Sequence, residues 1–92
     1  MRANVTLPGD LTIEAHTIDI SLHGVGCGVP YELRAGQLCA IELDLKENGG
    51  GQVELQTIVR SCRQTADGRF EAGLEFVNVP DPIMETLRAI LS

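Results

Sequence analysis

Tryptophan is absent from the chain, and Tyr31, Phe70 and Phe76 are its only aromatic residues. Single-stranded RNA and DNA are held by stacking bases on aromatic rings, so that class of partner is not expected. Positive charge is scarce too: 7 basic residues stand against 13 acidic ones, a formal charge of −6. Binding along a nucleic-acid backbone, or docking on anionic lipid, needs a positive surface. An anionic ligand must therefore be held by a few placed arginines. No apolar run approaches the ~18 residues of a membrane-spanning helix, so direct membrane insertion is not expected. No C-x-x-C pair occurs. Cys27, Cys39 and Cys62 sit far apart, and Cys27 and Cys39 share phase with apolar neighbours, as small core-filling thiols do. An odd cysteine count without a signal peptide fits a reducing cytoplasm and unpaired thiols.

Catalytic sets are also missing. His16 and His23 each lack a second ligand at metal spacing, so no metal or cofactor is expected. Asp19, Ser21 and His23 recur at every second residue of a strand and project in parallel. A relay needs these groups in series, so they make no triad. With no general base, nucleophile or metal set, the chain is not expected to be an enzyme.

What is present is a pattern of period two. The 92 residues, 43% hydrophobic and 22% charged, fit one soluble domain over residues 1–92 with a single core. Ile41-Glu42-Leu43-Asp44-Leu45 and Phe70-Glu71-Ala72-Gly73-Leu74-Glu75-Phe76 alternate as half-buried strands do. Glu42, Asp44, Glu71 and Glu75 then form the solvated strand faces. Leu11-Thr12-Ile13-Glu14-Ala15 alternates and then changes phase at Ile18 and Ile20. Val53-Glu54-Leu55 likewise gives way to Ile58-Val59. Such slips predict bulges. Turns are expected at Pro8-Gly9-Asp10, at Asn48-Gly49-Gly50-Gly51 and at Asp67-Gly68. Val25, Cys27 and Val29 alternate with Gly24, Gly26 and Gly28, a strand whose other face is bare and must lie close to backbone or ligand.

Only the end reads as helix. Asp81 suits the N-cap, Pro82 the first helical position, and Ile83, Leu87, Ile90 and Leu91 form one apolar stripe over Asp81–Leu91. About six antiparallel strands and a terminal helix make a small all-β barrel or sandwich with a helical plug. Arg60 and Arg63, three apart in a strand, are expected on opposite faces. Arg34, Arg63, Arg69 and Arg88 read as solvated surface residues.

One segment differs in kind: Asp19-Ile20-Ser21-Leu22-His23-Gly24 closes a strand with a carboxylate, a hydroxyl and a glycine. Asp19 accepts hydrogen bonds, Ser21 donates to an anion, and Gly24 allows close approach of a ligand. The same residues also suit an Asx- or Ser-type turn that satisfies its own backbone. The residues alone leave both readings open.

This segment matches in full the D/N-x-S-x-x-G signature of the PilZ domain family of bacterial cyclic di-GMP receptors, which the chain resembles. The strand around Ile41–Leu45, the Val59-Arg60 strand, the G-x-x-F-like run Gly73-Leu74-Glu75-Phe76 and the closing helix are similar too, so the resemblance covers almost the whole chain. It implies a six-stranded antiparallel β-barrel with a C-terminal α-helix and no catalytic activity. It also implies binding of cyclic di-GMP and relay of the ligand state to a fused effector domain or a protein partner. Dimerisation is left open. The family's second signature, R-x-x-x-R, lies on a flexible segment ahead of the first strand. Here the chain reads Met1-Arg2-Ala3-Asn4-Val5, and Arg2 stands where the second arginine would. The implied ligand-binding residues are Arg2, Asp19, Ser21, Gly24 and Arg60, the last in a strand where the family places a residue over the bound base. A bidentate arginine contact carries about 1–3 kcal/mol, so loss of one weakens binding by roughly 5- to 150-fold. Weakened cyclic di-GMP binding is the expected function. The alternative is a barrel that has lost the ligand and serves as a protein-interaction module.

Overall fold

The structure is a computed structural model that describes residues 2–45 and 51–91. Six strands precede one helix: β1 (Arg2–Leu7), β2 (Leu11–Ile20), β3 (Gly24–Val29), β4 (Leu38–Asp44), β5 (Gln52–Gln64), β6 (Phe70–Val77) and α1 (Asp81–Leu91). All neighbours pair antiparallel, and the sheet closes in the order β1-β2-β3-β6-β5-β4. Closure follows from the alternation. Val5, Cys27, Val29, Ile41 and Leu43, odd-numbered residues of β1, β3 and β4, point inward and are fully buried.

The turns follow their chemistry. Pro8 and Gly9 occupy the centre of the β1–β2 turn, which Asp10 N–H closes on the Leu7 carbonyl at 3.1 Å. Gly9 takes a φ of 91° there, the type II requirement that glycine meets without strain. In the β5–β6 hairpin, Asp67 Oδ1 accepts from Arg69 N–H at 3.1 Å and from the Thr65 hydroxyl. These two bonds hold the Asp67 carboxyl below its ordinary pKa. Asn48, Gly49 and Gly50 lie outside the described residues.

Two bulges break the ladders. In β2 the register against β3 shifts between Thr17 and Asp19, as the phase change predicts. Ile18 is the extra residue and stays exposed, while Ile20 returns to the core side. The slip expected after Leu55 is not where the sequence put it. Leu55, Thr57 and Val59 all stay in phase and buried, and β5 shifts against β6 only between Val59 and Ser61. Thr57 disguised the phase. It is a buried polar residue whose hydroxyl donates to the Cys39 carbonyl at 3.0 Å, so it is tolerated inside.

The helix spans the expected residues, but its cap lies one position earlier than expected. Met84 N–H donates to the Pro80 carbonyl at 3.0 Å, so Pro80 holds the cap position and Asp81 and Pro82 lie in the first turn. Of its stripe only Leu87 is fully buried. Ile83, Ile90 and Leu91 are half-buried against the core, a correction to the fully buried stripe the period suggests.

All three cysteines are free thiols. Burial pushes Cys27 up to about 11 and raises Cys39 too, whereas Cys62 is only half-buried. The thiolate is the nucleophile. Iodoacetamide at neutral pH is therefore expected to modify Cys62 first in the folded protein, with Cys27 labelled only on unfolding. Equal labelling of all three under native conditions, read by mass spectrometry, would contradict the packing of this core.

Candidate functional site

Outward-facing residues of β3 and β6 leave a trough. Gly24 opposes Glu75 and Gly26 opposes Gly73, so three of the four positions across this stretch carry no side chain. What glycine leaves empty, the neighbouring strands fill. A Cβ on Gly26 would collide with the Asp19 carboxylate, and one on Gly73 would meet the Ser61 hydroxyl at 2.7 Å. Asp19 and Ser61 are the residues that follow the two bulges. Each bulge therefore aims a polar side chain over a glycine of the adjoining strand. The result is a groove of about 660 Å³, with Asp19 and Ser21 on one wall and Arg60, Ser61 and Arg63 on the other.

The signature residues are engaged with their own backbone. Asp19 Oδ1 accepts from Gly26 N–H at 2.9 Å. Ser21 Oγ accepts from His23 N–H at 3.2 Å and Gly24 N–H at 3.3 Å, and its hydroxyl reaches the Gly24 carbonyl at 3.4 Å. Phe76 N–H donates to the His23 carbonyl at 2.8 Å, which ties this turn to β6. The turn reading of the segment thus describes its geometry, and the same residues line the groove.

Arg60 and Arg63 do not face opposite sides. The bulge between Val59 and Ser61 inserts one residue, and both guanidiniums emerge on the outer face. Arg60 Nε–H donates to Glu75 Oε2 at 2.7 Å and Nη2–H to Glu75 Oε1 at 3.3 Å. Arg63 Nη2–H reaches Glu71 Oε2 at 3.5 Å. Hydrogen bonding to Arg60 holds the Glu75 carboxyl below its ordinary value, and Glu75 raises Arg60 in turn. Glu71 and Glu75, expected as plain solvated residues, are lining groups of the groove.

Of the five residues expected at a ligand site, Asp19, Ser21, Gly24 and Arg60 come together here. Arg2 does not join them. It belongs to β1 itself rather than to a segment ahead of it, pairs with His16, and lines a separate pocket with Glu14, Glu42, Asp44 and Arg69. The sequence offers Gly26 only as part of a bare strand face close to backbone or ligand, and does not offer Ser61, Arg63 or Gly73 as ligand residues. The signal for Gly73 was present, since a glycine inside a strand marks close approach. Nothing in the sequence pointed to Ser61.

Among the described residues no cluster of three His, Cys, Asp or Glu side chains suits a metal ion. No helix there is long and apolar enough to cross a membrane. The architecture is a closed six-stranded antiparallel barrel with a C-terminal helix and a glycine-floored groove on its outer face. The PilZ domain profile matches residues 2–92, and the chain belongs to the PilZ domain family, as the signature implied. Among solved structures, the PilZ domain with c-di-GMP of YcgR from Escherichia coli shares this fold, with a TM-score of 0.77 at 20% sequence identity. The match covers 97% of this chain and 76% of that one. No curated protein sequence matches the chain.

Proposed function

We propose that the chain, as a single domain over residues 1–92, binds cyclic di-GMP in the groove and acts as a non-catalytic regulatory module. On this reading it works in the cytoplasm and relays the ligand state to a fused effector domain or a protein partner. The observation that carries the proposal is the convergence of Asp19, Ser21, Gly24 and Arg60 on one groove. The chemistry of each suits a guanine nucleotide. A carboxylate accepts guanine N–H groups, a hydroxyl donates to phosphate, and a guanidinium stacks on a purine or forks onto its O6 and N7. Ser21 holds the Gly24 carbonyl only at 3.4 Å, so its proton is readily redirected to a phosphate oxygen. Arg2 lies outside the groove, so its guanidinium does not contribute to binding there.

A second reading, an interaction module without ligand, is favoured by one specific fact: Asp19, Ser21 and Arg60 each already have a partner within the chain. Calorimetric titration with cyclic di-GMP separates the two. Saturable binding that Arg60→Ala weakens several-fold supports the receptor. An absence of heat at millimolar ligand leaves the interaction module.

A further inference from the structure

Arg60 and Glu75 meet in the lining of the groove because of the bulge. Val59 pairs with Leu74 and Ser61 with Gly73, so Arg60 is the residue without a Cα partner of its own in the β5–β6 ladder. Its side chain turns outward and lies diagonally beside Glu75. The contact uses two parallel bonds, from Nε and Nη2 to the two carboxylate oxygens. That two-donor edge is the one a guanidinium presents to phosphate oxygens or to guanine O6 and N7. One edge cannot serve two acceptors at once. A step further along, Arg63 reaches Glu71 more loosely, through one Nη2–H bond of 3.5 Å. The lining thus carries two arginines, Arg60 and Arg63, against three carboxylates, Asp19, Glu71 and Glu75. A ligand with two phosphates meets a net negative wall unless a glutamate gives way.

We propose that Glu75 is a resident competitor for the ligand-binding edge of Arg60, so that cyclic di-GMP enters by displacing its carboxylate and Glu75 sets the affinity of the groove. The inference rests on the groove being the cyclic di-GMP site. Both partners are well exposed, with side chains 59% and 48% accessible, and exposed ion pairs are weak. Glu75 therefore lowers affinity by a modest factor and does not lock the groove shut. A positioning role predicts the opposite sign: a glutamate that aims Arg60 at the base would aid binding.

The test is calorimetric titration with cyclic di-GMP of the full chain, of Glu75→Gln, and of Glu85→Gln. Glu85 is exposed on α1, outside the groove, and controls for net charge. Glu75→Gln is expected to tighten binding by about two- to fivefold, the range an exposed ion pair spans, and Glu85→Gln by less than twofold. In the Arg60→Ala background the gain should vanish, as a double-mutant cycle requires for a direct pair. Binding by Glu75→Gln where the unaltered chain shows none also supports the competitor. If the unaltered chain binds but Glu75→Gln gains less than twofold, weakens, or gains equally without Arg60, the competitor is overturned and the ligand site stands. If neither binds at millimolar ligand, the ligand site and the competitor fall together. In the unaltered chain, NMR supplies a readout free of mutation: the Arg60 Nε–H resonance should shift and saturate with ligand, and a resonance unmoved by bound ligand overturns the inference.

Discussion

Leu87→Ala is expected to lower the free energy of unfolding by about 2–5 kcal/mol, the range for deleting a large buried side chain. Leu87 is the one α1 residue with no exposure at all, and it belongs to the same core cluster as Val5, Ile41 and Leu55. An eleven-residue helix is too short to hold its shape unaided, so its stability comes from docking. Ile83, Ile90 and Leu91 stay half-buried and share the helix's contact with the barrel, but none of them plugs the core. Truncation leaves a cavity where barrel and helix meet. Against the roughly 5–15 kcal/mol total of a typical domain, that loss is a large share. Urea denaturation reads it as a lower midpoint at constant slope. A loss under about 1 kcal/mol would mean that Leu87 does not anchor the helix.

Gly24→Ala should damage both fold and site. Gly24 faces Glu75 across the β3–β6 ladder, and a Cβ there would run into the backbone carbonyl of Leu74. A backbone atom in a paired strand cannot swing aside, so the clash moves the strands apart. The expected cost is about 1–3 kcal/mol, as for overpacking, and on the proposed receptor reading cyclic di-GMP affinity falls as the turn that carries Ser21 shifts. Gly26→Ala is the informative contrast. Its new methyl group meets the Asp19 carboxylate, a side chain that can rotate away. Stability should fall less than for Gly24→Ala, while Asp19 loses its bond to Gly26 N–H and, on the proposed receptor reading, ligand affinity falls. Equal melting temperatures for the two variants would contradict this account of the groove floor.

Most of the fold was legible because period-two alternation is local. Ile41–Leu45 and Phe70–Phe76 declare their faces within a few residues, and the slip at Ile18 correctly located the bulge in β2. The bulge in β5 was misplaced for a physical reason. Thr57 looks like an outward residue, yet it satisfies its hydroxyl on the Cys39 carbonyl and sits in the core. From that single misassignment the error in Arg60 and Arg63 follows, since without the correct bulge they fall on opposite faces. Glu75 was legible as exposed but not as the partner of Arg60, because the pair is set by a cross-strand register and not by spacing along the chain. The family signature pointed to Asp19, Ser21 and Gly24 and the wider resemblance to Arg60, but neither pointed to Ser61 or Arg63 on the opposite wall of the groove.

The closed strand order has a consequence for how a partner protein could recognise this barrel. Every strand among the described residues has a neighbour on both sides, so no strand stands at the margin of an open sheet. Recognition by β-augmentation, in which a visiting peptide extends a sheet through main-chain hydrogen bonds, requires such a margin. Apart from the overhang of β5 over residues 61–64, whose strand partner is β6 alone, a partner must grip side chains: those around the groove, those of the loops, or the exposed flank of α1. Since Leu22 and His23 of the signature turn share a pocket with Phe76 of β6, with Val79 and with Met84 in the first turns of α1, a partner clasping that flank would also touch the turn that carries Ser21.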